Sequence, residues 1–244
     1  MLAMIFAAGL GTRLKPLTDT MPKALVPIGG KPLIQHVTEK LASAGFTDLV
    51  VNVHHFADML EFWCHVVQMQ TDAFTFSISD ERKQLLETGG GIKHARPLLE
   101  GVDRFLIHNV DILSNVDLQE FWQSGDRGEA TLLVSPRDTQ RYLLFDDDMR
   151  LVGWTNIKTG EVRTPYADLD VQKCHRYAFA GIHQMSASLL PLMDEWPDRF
   201  GIMDFYLKIC AHHPIYGYLK EDLRLIDVGK IDTLDQAEAF VTNP

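Results

Sequence analysis

The sequence predicts an α/β fold, one domain whose mostly parallel central sheet is flanked by helices. Short apolar runs that are typical of buried strands alternate with segments of helical periodicity through about residue 125. The chain has 244 residues, which suits one sizeable domain, and no stretch has the composition of a linker. We therefore expect a single domain over 1–244 with two halves, 1–125 and 126–244.

The first half begins with a strand and a helix. The apolar run at 2–8 predicts a buried strand, and the segment 32–44 carries apolar residues at helical spacing. Pro32 suits the first turn of that helix, and Gly45 suits its stop. The alternation continues with a strand at 49–53, a helix at about 56–69, a strand at 74–78, a helix that opens near 89–91 and a strand at 105–107. Right-handed crossovers would make this sheet parallel, and such sheets bind ligands at the carboxyl ends of their strands.

The second half is richer in short β-type runs. Strands are expected at 130–135, 142–145, 151–155, 177–182 and 215–219, followed by a further apolar segment at 225–229. Helices are expected near 186–194 and 203–211, with a closing helix at 233–241. This half is predicted to complete the same domain.

Charge and composition exclude several classes of partner. A formal charge of −10 and a pI near 5.4 argue against broad binding to nucleic acid or to anionic membranes. No apolar run reaches the length of a bilayer span, and the N-terminus lacks the pattern of a signal peptide. Three widely spaced cysteines make neither a disulfide framework nor a zinc pattern. We expect a protein of the cytoplasm, and its oligomeric state stays open.

A glycine loop follows the first predicted strand. The apolar run ends in Gly9-Leu10-Gly11-Thr12-Arg13, and Pro22-Lys23 follows on a segment punctuated by prolines. Small residues let the backbone approach a ligand closely, and free N–H groups beside a cation suit phosphate oxygens. Two fixed positive charges, Arg13 and Lys23, suit a reaction that moves negative charge between phosphates.

The commoner glycine motifs do not match this loop. A dinucleotide fingerprint requires a third glycine where Leu14 stands. A P-loop requires Gly-Lys followed by Ser or Thr, whereas Gly30-Lys31 is followed by Pro32. The loop therefore predicts a phosphate site of another type.

The runs GLGTRLKPLT and PKALVPIGGKP together resemble the signature of the sugar-1-phosphate nucleotidyltransferases. The resemblance implies a Rossmann-like sheet of the nucleotide-diphospho-sugar transferase type, with a nucleotide-binding first half and a sugar-phosphate-binding second half. It implies transfer of a nucleotidyl group from a nucleoside triphosphate to a sugar 1-phosphate, with release of pyrophosphate. In this reading Arg13 holds the β and γ phosphates, and Lys23 holds the α phosphate and the incoming sugar phosphate. The nucleotide-binding residues of the loop would be Ala8, Gly9, Gly11, Thr12 and Arg13.

A second glycine-rich run, LETGGG at 86–91, opens a predicted helix. Glycines there would let the backbone meet a base or ribose and offer free N–H donors. By resemblance, Thr88, Gly89 and Gly90 line the base pocket. Glu81, just upstream, is an acidic side chain that could accept the N–H donors of either uracil or guanine. This version of the run is most similar to that of the N-acetylmuramate 1-phosphate uridylyltransferases. UTP and an amino-sugar 1-phosphate, in cell-wall recycling, are therefore the expected substrates and context.

Asp111 and Asp227 match the metal-binding aspartates of the family, and the resemblance implies that they hold Mg²⁺. Two neighbours depart from the family pattern. Val110 replaces a glycine before the first aspartate, and Lys230 replaces a threonine after Gly229. Val110 would crowd the place where the backbone normally approaches the ribose.

The sugar-phosphate side is less well marked, because the Glu-Lys-Pro motif of the family is absent. Arg141 and Asn156 occupy the corresponding region, and Arg141 is the candidate for the second cation on the sugar phosphate. The residues expected to bind the sugar phosphate are Lys23, Asn109, Arg141, Asn156 and Gly181.

Three alternatives remain open. Within the class, a guanylyltransferase for mannose or heptose 1-phosphate would use the same residues, because uracil and guanine both present N–H donors. A glycosyltransferase of the GT-A type would carry Asp-x-Asp, whereas this chain has Asp111-Ile112-Leu113. A binding-only subunit would be expected to lack one of Arg13, Lys23 or the two aspartates, and all four are present.

Overall fold

The computed structural model describes residues 1–242. The strands are β1 (Leu2–Phe6), β2 (Pro27–Ile28), β3 (Lys31–Pro32), β4 (Asp48–Val53), β5 (Thr75–Asp80), β6 (Arg104–Asn109), β7 (Ile112–Ser114), β8 (Ala130–Ser135), β9 (Arg141–Phe145), β10 (Leu151–Asn156), β11 (Glu161–Arg163), β12 (His175–Ser186), β13 (Ile215–Leu219) and β14 (Leu225–Asp227). The α-helices are α1 (Leu33–Ser43), α2 (Ala57–Gln68), α3 (Glu87–Leu99), α4 (Leu118–Gln123), α5 (Ile202–Ile209) and α6 (Leu234–Thr242). Among the residues described, no helix has both the length and the apolar character that crossing a membrane requires.

A central sheet runs through the molecule in the order β11-β10-β9-β12-β6-β1-β4-β5, and β8 joins it through β12 and carries β13 on its other side. The neighbours β5, β4, β1 and β6 are all parallel. Strand β12 lies antiparallel beside β6 and leads to the antiparallel strands of the second half. The predicted α/β fold with a mostly parallel sheet flanked by helices is confirmed.

The alternation of side chains along β1 builds two hydrophobic cores, one on each face of the sheet. Ala3 and Ile5 pack with residues of α1, α2 and α4 on one face. Met4 points to the other face and packs with residues of α3 and α5. Successive side chains of a strand point to opposite faces, so a strand covered on both sides must be apolar throughout. This is why β1 appears in the sequence as a continuous apolar run.

Several elements differ from the sequence-based prediction, and short elements such as α4 and β11 were not predicted. The segment expected as a helix near 186–194 is a 3₁₀ helix over Ala187–Glu195, with Pro191 inside it. Proline lacks the N–H that an α-helix would use at this position. The prediction also lacked β7, which pairs antiparallel with β14 and sets Ile112 opposite Asp227. That pairing brings the segment after β14 to the end of β6.

His183 of β12 is buried, and its ring atom Nδ1 lies 2.8 Å from the hydroxyl oxygen of Tyr206 on α5. Burial lowers the pKa of His183 to about 3, because the charged imidazolium would lose its hydration. The folded state therefore keeps this ring neutral at pH values where the unfolded chain binds a proton.

We expect this histidine to contribute to acid destabilisation. Between pH 6 and pH 4 the unfolded state carries more protons than the folded state at this site, so the free energy of unfolding falls with decreasing pH by up to about 1.4 kcal/mol per pH unit. Urea unfolding at several pH values gives the free energy of unfolding as a function of pH. This free energy should fall less steeply with decreasing pH for His183→Gln than for the unmodified chain. The same pH dependence of the free energy of unfolding in both proteins would contradict a role of His183 in acid destabilisation.

Candidate functional site

A cleft of about 560 Å³ opens at the carboxyl ends of β1, β4 and β6. The strand register creates it, because Phe6 at the end of β1 is level with Asn52 on β4 and with Asn109 on β6. The loops that follow these strands therefore meet at one edge. Of the residues predicted from the sequence, the cleft is lined by Ala8, Gly9, Gly11, Thr12, Arg13, Lys23, Glu81, Thr88, Asn109 and Asp111.

The glycine loop has a shape that requires Gly11. This residue has φ +63°, and a Cβ atom there would lie 2.9 Å from Thr18 Cγ2 and 3.0 Å from Lys23 Cβ. The buried Thr18 donates its hydroxyl hydrogen to the carbonyl oxygen of Gly11 at 2.9 Å. Gly11 thus allows the loop to turn back on the segment that carries Lys23, so both predicted cations face one cleft.

Lys23 is buried, with 8% of its surface exposed, and its ammonium group contacts the Oδ2 atom of Asp111. Pro22 precedes it and opens a single 3₁₀ turn over Lys23–Leu25. The Asp111 carboxylate offsets the cost of removing the ammonium from water. A cation and a carboxylate are therefore held together at the end of the cleft nearest β6.

Asp227 reaches the same place through the pairing of β14 with β7. The N–H of Val228 donates to the carbonyl oxygen of Asp111 at 2.8 Å. Gly229 lines the cleft and leaves room for the carboxylate of Asp227 and the guanidinium of Arg13. A Cβ atom at Gly229 would lie 2.6 Å from Asp227 Oδ1 and 2.8 Å from Arg13 Nη2. Asp227 and Arg13 thus lie on either side of Gly229, close to each other but without the direct contact that joins Lys23 to Asp111.

These two carboxylates fit a magnesium ion. Residues 1–242 contain no group of three or more histidine, cysteine, aspartate or glutamate side chains that could hold a metal by themselves. Mg²⁺ does not need such a cage, because it binds one or two carboxylates and takes its other ligands from phosphates and water. Asp111 lines the cleft, whereas Asp227 is not among the described lining residues but lies on the adjacent segment, two residues before Gly229, which does line it. Together the two carboxylates offer that donor set.

The comparison with known proteins identifies the family. Residues 2–142, more than half of the chain, match the family described as nucleotidyl transferase. The chain belongs to this family. The matched region contains the glycine loop, Lys23, the LETGGG run and Asp111.

Relatives of this chain differ in the substrates that their names state. An N-acetylmuramate alpha-1-phosphate uridylyltransferase of Caulobacter vibrioides is 50% identical over 110 residues, 45% of this chain and 45% of that protein. A mannose-1-phosphate guanyltransferase of Emericella nidulans is 35% identical over 142 residues, 57% of this chain and 38% of that protein. The match with this chain thus spans half or less of each relative's length.

A solved structure shares the fold over nearly the whole chain. HddC from Yersinia pseudotuberculosis, complexed with GMP-PN, has a TM-score of 0.77 and covers 98% of each chain. Its sequence identity is 22%, so this likeness concerns the fold alone.

The structure of the LETGGG run corrects one prediction. The N–H groups of Gly89 and Gly90 both donate to the carbonyl oxygen of Phe200, at 2.9 and 3.1 Å. The prediction that they are free donors is therefore wrong. A Cβ atom at Gly89 would lie 2.3 Å from the Phe200 ring, and one at Gly90 would lie 2.1 Å from the carbonyl oxygen of Asp198. These glycines let α3 pack tightly against the segment 198–200.

The predicted sugar-phosphate residues are only partly gathered. Asn109 lines the cleft, and Gly181 (φ +75°) lies behind it, where a Cβ atom would be 2.8 Å from Asn109 Nδ2. Arg141 and Asn156 face each other across β9 and β10, and neither is among the described residues that line the cleft. Their role in binding the sugar phosphate stays a prediction.

The sequence reasoning missed Asn52, a buried residue at the cleft end of β4. Its signal was a polar side chain inside the apolar run LVVNV, where an amide needs hydrogen-bond partners. The structure supplies those partners on two sides, from the backbone after β1 and from Glu81.

We expect Gly90→Ala to destabilise the protein, because the added methyl group would overlap a backbone oxygen that cannot rotate away. Overpacking of this kind costs about 1–3 kcal/mol. Urea or thermal unfolding would measure it. Gly9→Ala is the matched control, since nothing lies within 4 Å of a Cβ atom at Gly9. Equal stability of the two variants would contradict the packing role.

Proposed function

We propose that this chain transfers a nucleotidyl group from a nucleoside triphosphate to a sugar 1-phosphate and releases pyrophosphate. The observation that carries the proposal is one cleft lined by a glycine loop, two cations and the carboxylate Asp111. Membership of the nucleotidyl transferase family supports the same reaction class.

The proposed reaction depends on charge more than on proton transfer. An oxygen of the sugar phosphate attacks the α phosphorus in line, and the pyrophosphate leaves from the opposite side. The attacking phosphate is already an anion, so no general base is required. The chain must instead bring two anions together and stabilise the charge that grows on the leaving group.

Arg13 and Lys23 provide that stabilisation in the proposal. Arg13 follows the turn at Gly11 and holds the β and γ phosphates, for which its forked guanidinium is suited. Lys23 lies beside Asp111, near β6, and holds the α phosphate and the incoming sugar phosphate. Asp111 and Asp227 would hold Mg²⁺, which when bound orients the phosphates and offsets part of their charge.

We infer that the preferred substrates are UTP and an N-acetylated amino-sugar 1-phosphate, with N-acetylmuramate 1-phosphate as the first candidate. The name of the Caulobacter relative and the LETGGG version of the base loop support this choice. The three cysteines, unpaired within the described residues, agree with a place in the reducing cytoplasm, where such an enzyme would serve cell-wall recycling.

A second candidate is a guanylyltransferase acting on mannose or heptose 1-phosphate. The guanyltransferase of Emericella nidulans supports it, because that match covers a larger share of this chain than the Caulobacter match does. The two candidates differ in the base and the sugar, and they share the cleft and the mechanism.

A matrix of triphosphates and sugar 1-phosphates tests the proposal. We expect pyrophosphate release, dependent on Mg²⁺ and abolished by a chelator, to be fastest with UTP and N-acetylmuramate 1-phosphate. GTP with mannose or heptose 1-phosphate as the best pair would select the second candidate. No release with any pair, from a folded protein that has Mg²⁺, would overturn the reaction class.

Replacement of either cation should lower kcat more than it raises KM, because the charge that these groups stabilise grows in the transition state. We expect Arg13→Ala and Lys23→Ala each to lose about 10²–10³ in kcat. Lys15→Ala is the matched control: Lys15 lies on the same loop but is exposed and paired with Asp19 at 2.9 Å. Steady-state kinetics that leave kcat unchanged in both variants would refute these roles.

A further inference from the structure

A buried side-chain amide holds the start of the glycine loop. Asn52 has 3% of its surface exposed, and its Oδ1 atom accepts hydrogen bonds from the N–H of Ala7 at 2.7 Å and of Ala8 at 3.2 Å. These are the first two residues after β1, where pairing with the neighbouring strands ends. Asn52 thus supplies the acceptor that the backbone of the sheet no longer offers there.

The other end of the same amide is bound to Glu81. Asn52 Nδ2 donates to Glu81 Oε1 at 2.7 Å, and Glu81 Oε2 accepts from the N–H of Leu86 at 3.2 Å. Glu81 is 2% exposed, and burial raises the pKa of its carboxyl group. Leu86 immediately precedes α3, so the carboxylate ties the amide to the start of that helix.

Gly91 leaves room for this pair inside α3. A Cβ atom there would lie 2.9 Å from Glu81 Oε1 and 3.2 Å from Asn52 Nδ2. The three glycines of the LETGGG run therefore have two packing partners: Gly89 and Gly90 face the segment 198–200, and Gly91 faces the polar pair.

On the basis of the proposed function, we propose that Asn52 and Glu81 are positioning residues. Together they form a buried bridge that joins the glycine loop, which meets the phosphates, to the beginning of α3, on the base side of the cleft. Glu81 acts on the phosphate loop through Asn52, since the carboxylate bonds the amide and not Ala7 or Ala8.

The bridge requires an amide at Asn52. An acceptor must face the two N–H groups while a donor faces the carboxylate, and asparagine presents both on one short side chain. Aspartate would set a second carboxylate against Glu81, and leucine would leave the buried N–H groups without an acceptor. Glu81 in turn fixes which end of the amide points to the loop.

Amide hydrogen exchange of the protein without substrate tests the bridge directly. We expect Asn52→Ala to speed exchange at Ala7 and Ala8 by about tenfold or more, because their acceptor is gone. Glu81→Ala should speed exchange at the same two amides although Glu81 does not touch them. Unchanged exchange at Ala7 and Ala8 in a folded Glu81→Ala protein would overturn the proposal. If Asn52→Ala does not fold, Asn52→Ser, which shortens the side chain, gives the same readout.

Nucleotide binding supplies the second readout. We expect each single variant to raise the Kd of UTP, and the double variant to raise it no further than the larger single effect, because the two residues act as one unit. Additive effects would show that Glu81 and Asn52 act separately. Hydrogen exchange needs no turnover, so its result stands even if the transfer assay fails to find product.

Ser79→Ala is the matched control. Ser79 is the register partner of Asn52 on β5, is buried, and has a hydroxyl oxygen with no hydrogen-bond partner among the described residues. The variant therefore alters the surroundings of Asn52 without breaking the bridge. Exchange at Ala7 and Ala8 should match that of the unmodified chain. Faster exchange at these amides in Ser79→Ala would mean that any local change loosens the loop, which would contradict the specific role of the bridge.

Discussion

The register of β1 between β4 and β6 is the constraint on which the site depends. Phe6 is level with Asn52 on one side and Asn109 on the other, so three chain segments leave the sheet at one height. A slip of one residue would turn Ala3 and Ile5 toward the core that Met4 occupies, and Met4 toward theirs, and it would separate the loops. Burial of Ala3, Met4 and Ile5 on the two faces therefore fixes the register of β1 as well as the fold. Because the glycine loop follows β1 directly, this packing also determines where the loop lies.

The two glycine-rich runs satisfy different physical requirements. Gly11 has positive φ, and a Cβ atom there would lie 2.9 Å from Thr18 Cγ2 and 3.0 Å from Lys23 Cβ, so the glycine serves the turn itself. Gly89 and Gly90 lie inside a helix and allow close packing against the segment 198–200, with their N–H groups already bonded. A composition rich in glycine indicates close approach in both cases. It does not say whether the approaching group is a ligand or another part of the chain.

The sequence predicted those parts of the site that lie in contiguous motifs. Arg13, Lys23 and Asp111 lie close to apolar runs whose strand character is plain, and the structure brings all three to the cleft. Asn52 escaped prediction because its partners are 44 and 29 residues away, and only the register brings them together. The 3₁₀ helix at Ala187–Glu195 was missed because its apolar spacing suits an α-helix, whereas Pro191 inside it removes a donor. The role of Gly89 and Gly90 depended on Phe200, about 110 residues along the chain.

The charges at the cleft are arranged so that each cation has a carboxylate close by. An unpaired ammonium as buried as Lys23 would cost several kcal/mol, and contact with Asp111 offsets that cost in the free protein. Gly229 keeps Asp227 and Arg13 near each other without a side chain between them. In the proposed reaction Lys23 would exchange the carboxylate of Asp111 for a phosphate of the triphosphate, and Asp111 would be released to hold Mg²⁺. If a triphosphate and Mg²⁺ bound together, an anion would replace the Asp111 carboxylate beside Lys23, and a cation would replace the Lys23 ammonium beside Asp111. The balance of charge at the cleft would then change little. Mg²⁺ alone would leave the buried Lys23 without its partner, and a triphosphate alone would leave the partly buried Asp111 without its own, which favours binding of the two together.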